Sequence, residues 1–341
     1  MNSTTSLPLH QGGITPISAL HPDIFQSHIL ALLDGPSLAS LACVSSQLHA
    51  LSTHDILWFN ICSSTWPSLN HPRLQQIIST FPSGHRSFFS DSFPFPDLQP
   101  LKLDVNSCTL PTELIFAVDV YYQNQIIYSK VEELDTSSSW FLCSPFRVDL
   151  LDPKDSASTP VRYLGGSQDE AWLQHLEENL SLSWIVINPT RKKAVNVSSR
   201  RAVSVQRHWL TGDVQVRFGT VTAGDEGRGS SRELVECGVV VTCCGKEGGE
   251  MHVREVCMVM EDMEGKGLNG KDSLVILEGV IEQGRRKGGE GNEGKGKFEE
   301  FQERKRERKE ENQRKERVLD LVCITVGVVG FVSFWSAILF K

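Results

Sequence analysis

Residues 20–61, LHPDIFQSHILALLDGPSLASLACVSSQLHALSTHDILWFNI, decide how the N-terminal part of the chain folds. Ile24, Phe25, Ile29, Leu32 and Leu33 recur at helical offsets after Pro22, and proline suits a first helical turn because its missing N–H would find no partner there. Asp34-Gly35-Pro36 breaks this helix, after which Leu38, Leu41 and Ala42 form a second short apolar face before Val44. Ser45 or Ser46 caps a third segment with Leu48 and Leu51, and Thr53 caps a fourth with Ile56, Leu57, Phe59 and Ile61. About four small helices are expected. A unit of roughly 40 residues buries too little apolar surface to offset its own ordering entropy, so the pattern predicts a partner.

Pro22, Ile29, Leu33, Leu38, Val44, Leu57 and Trp58 stand at the mutual spacings of an F-box, and the segment resembles that family. Leu20 and Ile24 complete the candidate docking set, while His21 stands where the family usually carries leucine. The resemblance implies a non-catalytic protein that docks on a Skp-type adaptor, which joins a cullin scaffold in a ubiquitin ligase. The competing reading is an ordinary helical hairpin whose leucines are all core.

At the other end, Leu321 to Phe340 (LVCITVGVVGFVSFWSAILF) carries no charge. Twenty residues at ~1.5 Å each match the ~30 Å hydrocarbon core of a bilayer. Phe298 to Arg317 is dense in Lys and Arg, so the positive-inside tendency predicts a single-pass tail anchor with the bulk of the chain in the cytosol. One lysine after the span favours the endoplasmic reticulum over the mitochondrial outer membrane.

The 341 residues, 40% hydrophobic and 22% charged, suffice for one sizeable domain between these ends. A formal charge of −8 disfavours a general nucleic-acid partner. Nine scattered cysteines without an N-terminal signal peptide predict reduced thiols. Asn179-Leu-Ser and Asn196-Val-Ser fit the glycosylation acceptor pattern and are expected to report topology.

Residues 65–100, rich in Phe, Pro, Ser and His, read as an irregular connector after a short helix near Arg73 to Thr80. Leu114 to Tyr122 and Gln125 to Val131, around Gln123-Asn124, predict a β-hairpin. Further strands are expected at Trp140 to Cys143, Phe146 to Leu151, Leu182 to Asn188, Arg201 to Gln206, Asp213 to Phe218, Glu233 to Thr242, Met251 to Met260 and Asp272 to Ile281. One inserted helix spans Asp169 to Leu180, capped by Ser167 and presenting Trp172, Leu173, Leu176 and Leu180 on one face. The fold class is α+β: a flexible N-terminus (1–16), a small helical F-box (17–64), a β-rich sandwich-like domain (101–282), a flexible Gly/charged linker (283–297), a charged juxtamembrane helix (298–317) and a transmembrane helix (318–340).

WFLCSPFRVDLL, LGGSQDEAWLQHLEENLSLSWIVINPTRKKAVN and SVQRHWLTGDVQVRF, with the N-terminal helices and the apolar tail, resemble a small plant F-box group that includes a cytokinin-induced member. No catalytic motif accompanies the resemblance. Cys237, Cys243, Cys244, Cys257 and His252 lack paired metal-ligand spacing and read as strand residues, so neither a metal nor a cofactor is expected. Gly165-Gly166-Ser167 reads as a turn and cap, and His208 has no nucleophile motif beside it. The acid-free interval between Glu178 and Asp213 concentrates Arg191, Lys192, Lys193, Arg200, Arg201 and Arg207, a candidate patch for an anionic substrate or lipid head. Trp140, Trp184 and Trp209 read as sheet core.

These features predict a membrane-tethered substrate receptor of a ubiquitin ligase that presents an as yet unknown protein substrate. The alternative is a tethered lectin-like or lipid/anion-binding module that assembles no ligase.

Overall fold

The computed structural model describes residues 22–96, 110–164, 169–224, 232–283, 286–287 and 292–339. Contacts divide the chain into two compact units, Met1–Thr65 and Trp66–Lys341.

The first unit contains α1 (Pro22–His28), a 3-10 turn (Leu30–Leu32), α2 (Gly35–Leu41), α3 (Ser46–Ser52) and α4 (Asp55–Thr65). Asp34 accepts a hydrogen bond from Ser37 N at 2.9 Å and starts α2, with Pro36 in its first turn. Ser45 accepts from Leu48 N at 3.2 Å and starts α3. Thr53 caps the end of α3 instead of the start of α4, because its hydroxyl donates back to Ala50 O at 2.9 Å. Leu20 and His21 lie outside the described residues, as does the expected N-terminal tail.

In the second unit the short helix expected near Arg73 to Thr80 is α5 (Pro72–Ser79), while a 3-10 turn (Pro67–Asn70) and α6 (Gly84–Ser92) occupy stretches expected to be irregular connector. The correction has an aromatic cause. Phe88 and Phe89 of α6 pack against Trp66 with ring centroids 5.9 and 5.6 Å apart, and Phe81 adds a contact to Phe88 at 5.8 Å. These rings give an amphipathic helix something to bury.

Thirteen strands are present among the described residues. They are β1 (Phe95–Pro96), β2 (Glu113–Tyr122), β3 (Gln125–Asp135), β4 (Arg147–Asp149), β5 (Ala157–Arg162), β6 (Leu180–Asn188), β7 (Lys193–Asn196), β8 (Arg200–Arg201), β9 (Ser204–Arg207), β10 (Val214–Ala223), β11 (Leu234–Gly245), β12 (Glu250–Asp262) and β13 (Arg286–Lys287). One sheet runs β4-β12-β11-β10-β9 with β5 also on β12; the other runs β3-β2-β6-β7 with β8 also on β6; β1 pairs with β13. The pairings are antiparallel. Gln123 and Asn124 both have positive φ, 50° and 63°, as a two-residue hairpin whose twist matches its strands requires.

Alternate residues from both sheets enter one apolar core, among them Phe116 and Val118 of β2, Trp184 of β6, Phe218 of β10, Val239 of β11 and Met258 of β12. This is the sandwich-like α+β arrangement that the strand pattern predicts. The opposite face of β2 is buried too, at Ile115, Ala117 and Asp119, which is why its sequence reads as a nearly unbroken apolar run. Asp119 ties that face to the preceding helical layer: its carboxylate accepts from Ser68 N at 2.9 Å, Ser68 Oγ at 2.6 Å and Ser129 Oγ at 2.7 Å.

Two expected strands are helices. Residues 139–143 form α7 (Ser139–Cys143), capped by Ser138, which accepts from Phe141 N at 3.2 Å. Residues 270–283 form α9 (Gly270–Gln283), where Asn269 accepts from Asp272 N at 2.8 Å and Leu274, Leu277, Val280 and Ile281 reach the core. In α9 a local cap and a 3.6-residue apolar period outcompete β propensity, whereas α7 is little more than one capped turn. The inserted helix is α8 (Asp169–Asn179), with Trp172 and Leu176 buried; the expected cap Ser167 and the turn Gly165-Gly166 lie outside the described residues.

Residues 292–339 form one continuous helix, α10 (Asn292–Leu339), which carries the expected charged and apolar helical segments without a break and takes in 292–297 of the expected linker; residues 284–285 and 288–291 of that linker lie outside the described residues. Helical Gly294 and Gly296 each cost about 1 kcal/mol relative to Ala, which burial of Phe298 and Phe301 in the same segment offsets. Along its charged part Glu300 pairs with Arg304 and Glu311 with Lys315, each at 2.7 Å.

Candidate functional site

Within the first unit the apolar residues divide into two populations. Phe25, Leu30, Leu38, Leu57, Trp58 and Cys62 are buried, and the Trp58 indole donates to Ser52 O at 2.7 Å, closing α4 against the end of α3. Ile24, Ile29, Leu32, Val44 and Ile56 are exposed, Leu32 by 83% and Val44 by 69%, while Leu33 is half-buried. Of the candidate docking residues, Leu38, Leu57 and Trp58 therefore hold the unit together, whereas Ile24, Ile29 and Val44 face outward. Pro22 opens α1. Leu32 and Ile56 join the outward set; the sequence shows their apolar character but not their facing, since four short helices can turn several residues to either side. Five large aliphatic side chains on so small a unit are a candidate protein-binding surface.

The basic interval of the second unit is dispersed by the fold. Arg191 lies 3.1 Å from Glu278 and 3.5 Å from Glu282, both supplied by α9. Arg207 donates to Tyr163 Oη and Leu164 O at 2.7 Å, to Gly212 O at 2.9 Å, and to Asp169 at the start of α8. Arg200, with φ of 60°, lays its guanidinium 4.3 Å over the Phe93 ring, and burial pushes its pKa down to about 10. Lys192 and Arg201 are exposed and Lys193 is half-buried. The interval is free of acids in sequence but not in space, because α8 and α9 bring carboxylates to it.

Trp184 is buried as expected, whereas Trp140 and Trp209 are exposed by 83% and 87%, one on the short α7 and the other in the β9–β10 turn. Asn196 is not a usable topology reporter in the folded chain: it is buried, donating to Ser183 Oγ at 3.0 Å and accepting from Trp184 N at 3.2 Å.

Cys237, Cys243 and Cys257 are buried strand residues, and loss of solvation pushes each thiol up to about 12. Cys257 lies close to Asp149 and Glu255. Both carboxylates are already engaged by Arg147, whose nitrogens reach Asp149 at 2.8 Å and Glu255 at 2.8 Å, so the donors are committed to an ion-pair network.

Residues 318–339 of α10 are exposed throughout, and this helix is long and apolar enough to cross a membrane. At ~1.5 Å per residue the exposed segment covers about 33 Å.

Residues 22–64 match the family model described as F-box-like. The chain is 47% identical over 340 residues to F-box protein At2g27310 of Arabidopsis thaliana, covering 95% of this chain and 97% of that protein. It is also 45% identical over 297 residues to F-box protein At3g44326 of the same plant, covering 85% and 80% of the two chains. A third similar protein, Probable F-box protein At2g36090 of Arabidopsis thaliana, is 45% identical over 277 residues, or 81% of this chain and 78% of that one. No solved structure matches the chain. A helical unit with an outward aliphatic surface, a family model that coincides with it, and relatives matched over most of their length lead to one assignment: the chain belongs to the plant F-box proteins.

Proposed function

We propose that this protein is the substrate-recognition subunit of a Skp-cullin-F-box ubiquitin ligase, tethered to a membrane through α10. The observation that carries the reading is the division within residues 22–64, where one set of aliphatic residues fills the interior and another is left to solvent. In F-box proteins such a surface receives a Skp-type adaptor, which joins the cullin scaffold. The bond-making chemistry then belongs to other subunits. This chain contributes effective concentration, holding a substrate lysine near a ubiquitin thioester so that an intermolecular encounter becomes nearly intramolecular.

The β-rich unit is the proposed seat of the protein substrate. Of the basic interval, Lys192, Lys193 and Arg201 are the proposed contacts to an anionic group on it, such as a phosphorylated side chain, while Arg191, Arg200 and Arg207 are engaged by Glu278, Phe93 and Asp169. Arg314, Lys315 and Arg317 immediately precede the apolar segment and support a cytosolic orientation of both units. The endoplasmic reticulum is the proposed membrane. A role in cytokinin response rests on the resemblance to the plant group alone, and adaptor assembly does not depend on it.

The test is co-purification of the Skp-type adaptor and cullin with detergent-solubilised full-length protein, beside an Ile29→Glu, Val44→Glu double variant. Both positions are exposed, so the variant should keep its helical circular dichroism while losing the complex. A well-folded wild-type chain that captures neither partner would overturn the ligase reading.

A further inference from the structure

We propose that α10 is a rigid strut: its first turns are an integral layer of the β-rich unit, and its unbroken passage into the apolar segment fixes that unit's height above the bilayer. The inference rests on the membrane-spanning reading above. It replaces a swinging tether with a set distance, and so limits which parts of a membrane-bound substrate come within reach.

Phe298 and Phe301, three residues apart on one helical face, are buried to 7% and 1% exposure. Phe298 lies on β10 at Gly219, where a Cβ would fall 3.0 Å from the ring, so the strand supplies the space that the helix fills. The Arg217 guanidinium sits 6.0 Å from the same ring. Phe301 closes a small apolar cluster with Val221 and Met263, flanked by Leu234. Polar contacts continue along the helix: Lys295 with Glu177, Gln302 with Glu236 at 3.4 Å, Lys305 with Glu261 at 3.2 Å, and Arg308 with Met263 Sδ at 3.7 Å.

The contacts also give a direction. Gly294 meets Ser199, Phe298 meets Gly219, Phe301 meets Val221, and Lys305 meets Gly265. The helix therefore follows β10 away from the β9–β10 turn and leaves the unit near the turn after β12. Residues 309–317 then carry it, almost entirely solvent-exposed, over about 14 Å to the apolar segment. No glycine or proline occurs between Phe298 and Val326, so the sequence provides no hinge in that interval.

The experiment uses full-length protein in phosphatidylcholine vesicles, with a donor dye on an unnatural amino acid at exposed Leu210 in the β9–β10 turn and acceptor dyes on lipid headgroups. Donor lifetimes report the height of the turn and its spread. Seven helix-forming residues inserted after Lys309 should raise the donor by about 10 Å without broadening the distribution. Seven Gly/Ser residues at the same place, or Phe301→Glu, should broaden it. A wild-type distribution as broad as that of the Gly/Ser insertion, or no rise with the helical insertion, would overturn the strut while leaving the membrane reading intact. Failure of the wild-type protein to float with vesicles would overturn both, so the two failures are distinguishable.

Discussion

Replacing Asp119 tests whether burial or hydrogen bonding governs the seam between the helical layer and the sheet. This carboxyl is fully buried on β2 and receives three hydrogen bonds, from Ser68 N, Ser68 Oγ and Ser129 Oγ. Removal from water raises its pKa from 3.8, and the three donors only partly counter that. With a folded-state pKa above the unfolded one, the carboxyl contributes stability that is fully present below about pH 3.8 and is lost as pH rises through the folded value. In the Asp119→Asn variant the side-chain amide keeps an oxygen for Ser68 N and Ser129 Oγ and offers its NH2 to the rotatable Ser68 hydroxyl. That substitution should therefore remove the pH dependence and hold or raise stability at pH 7. Asp119→Ala instead strands the buried N–H and hydroxyl of Ser68, at roughly 1–3 kcal/mol each or about 2–6 kcal/mol in all, while the exposed Ser129 hydroxyl turns to water. The assay is chemical denaturation of the detergent-solubilised chain, followed by near-ultraviolet circular dichroism between pH 3 and pH 8. If Asp119→Asn loses as much stability at pH 7 as Asp119→Ala, the buried charge is favourable and the reasoning fails.

Three further outcomes are expected. Trp58→Phe keeps the ring but deletes the donor to Ser52 O, and should cost about 1–3 kcal/mol, measured as faster amide exchange across α3 and α4. Phe301→Ala should destabilise the β-rich unit by about 3–5 kcal/mol, read from its denaturation midpoint; a change confined to α10 would argue against integral packing. Iodoacetamide at pH 8 should label exposed Cys43 and Cys143 in the native chain and reach buried Cys237, Cys243 and Cys257 only after denaturant is added, mapped by peptide mass spectrometry.

Much of the helical unit was legible because its signals are local. Asp34, Ser45 and the Gly35-Pro36 break act within a few residues of one another, and the cap distances follow directly. The Gln123-Asn124 hairpin was equally legible, since a two-residue turn with positive φ at both positions is a short-range property. Residues 270–283 misled because SLVILEGVI satisfies a strand's composition and a helix's period at once; the cap at Asn269 and the core contacts decide between them. Helix α6 was obscured because its value lies in Phe88 and Phe89 meeting Trp66, a contact that no local pattern announces.

By itself, the sequence determined the caps at Asp34 and Ser45, the hairpin around Gln123-Asn124, where the F-box spacing falls and where an apolar segment long enough for a bilayer lies, because each depends on neighbours along the chain. Only the tertiary structure decided that Leu38 turns inward and Val44 outward, that Arg191 and Arg207 meet acids from α9 and α8, and that the charged start of α10 is clamped on β10. Those outcomes depend on contacts between segments that are distant in sequence. Burial and charge pairing are settled when the segments meet, whereas periodicity is written into each segment beforehand.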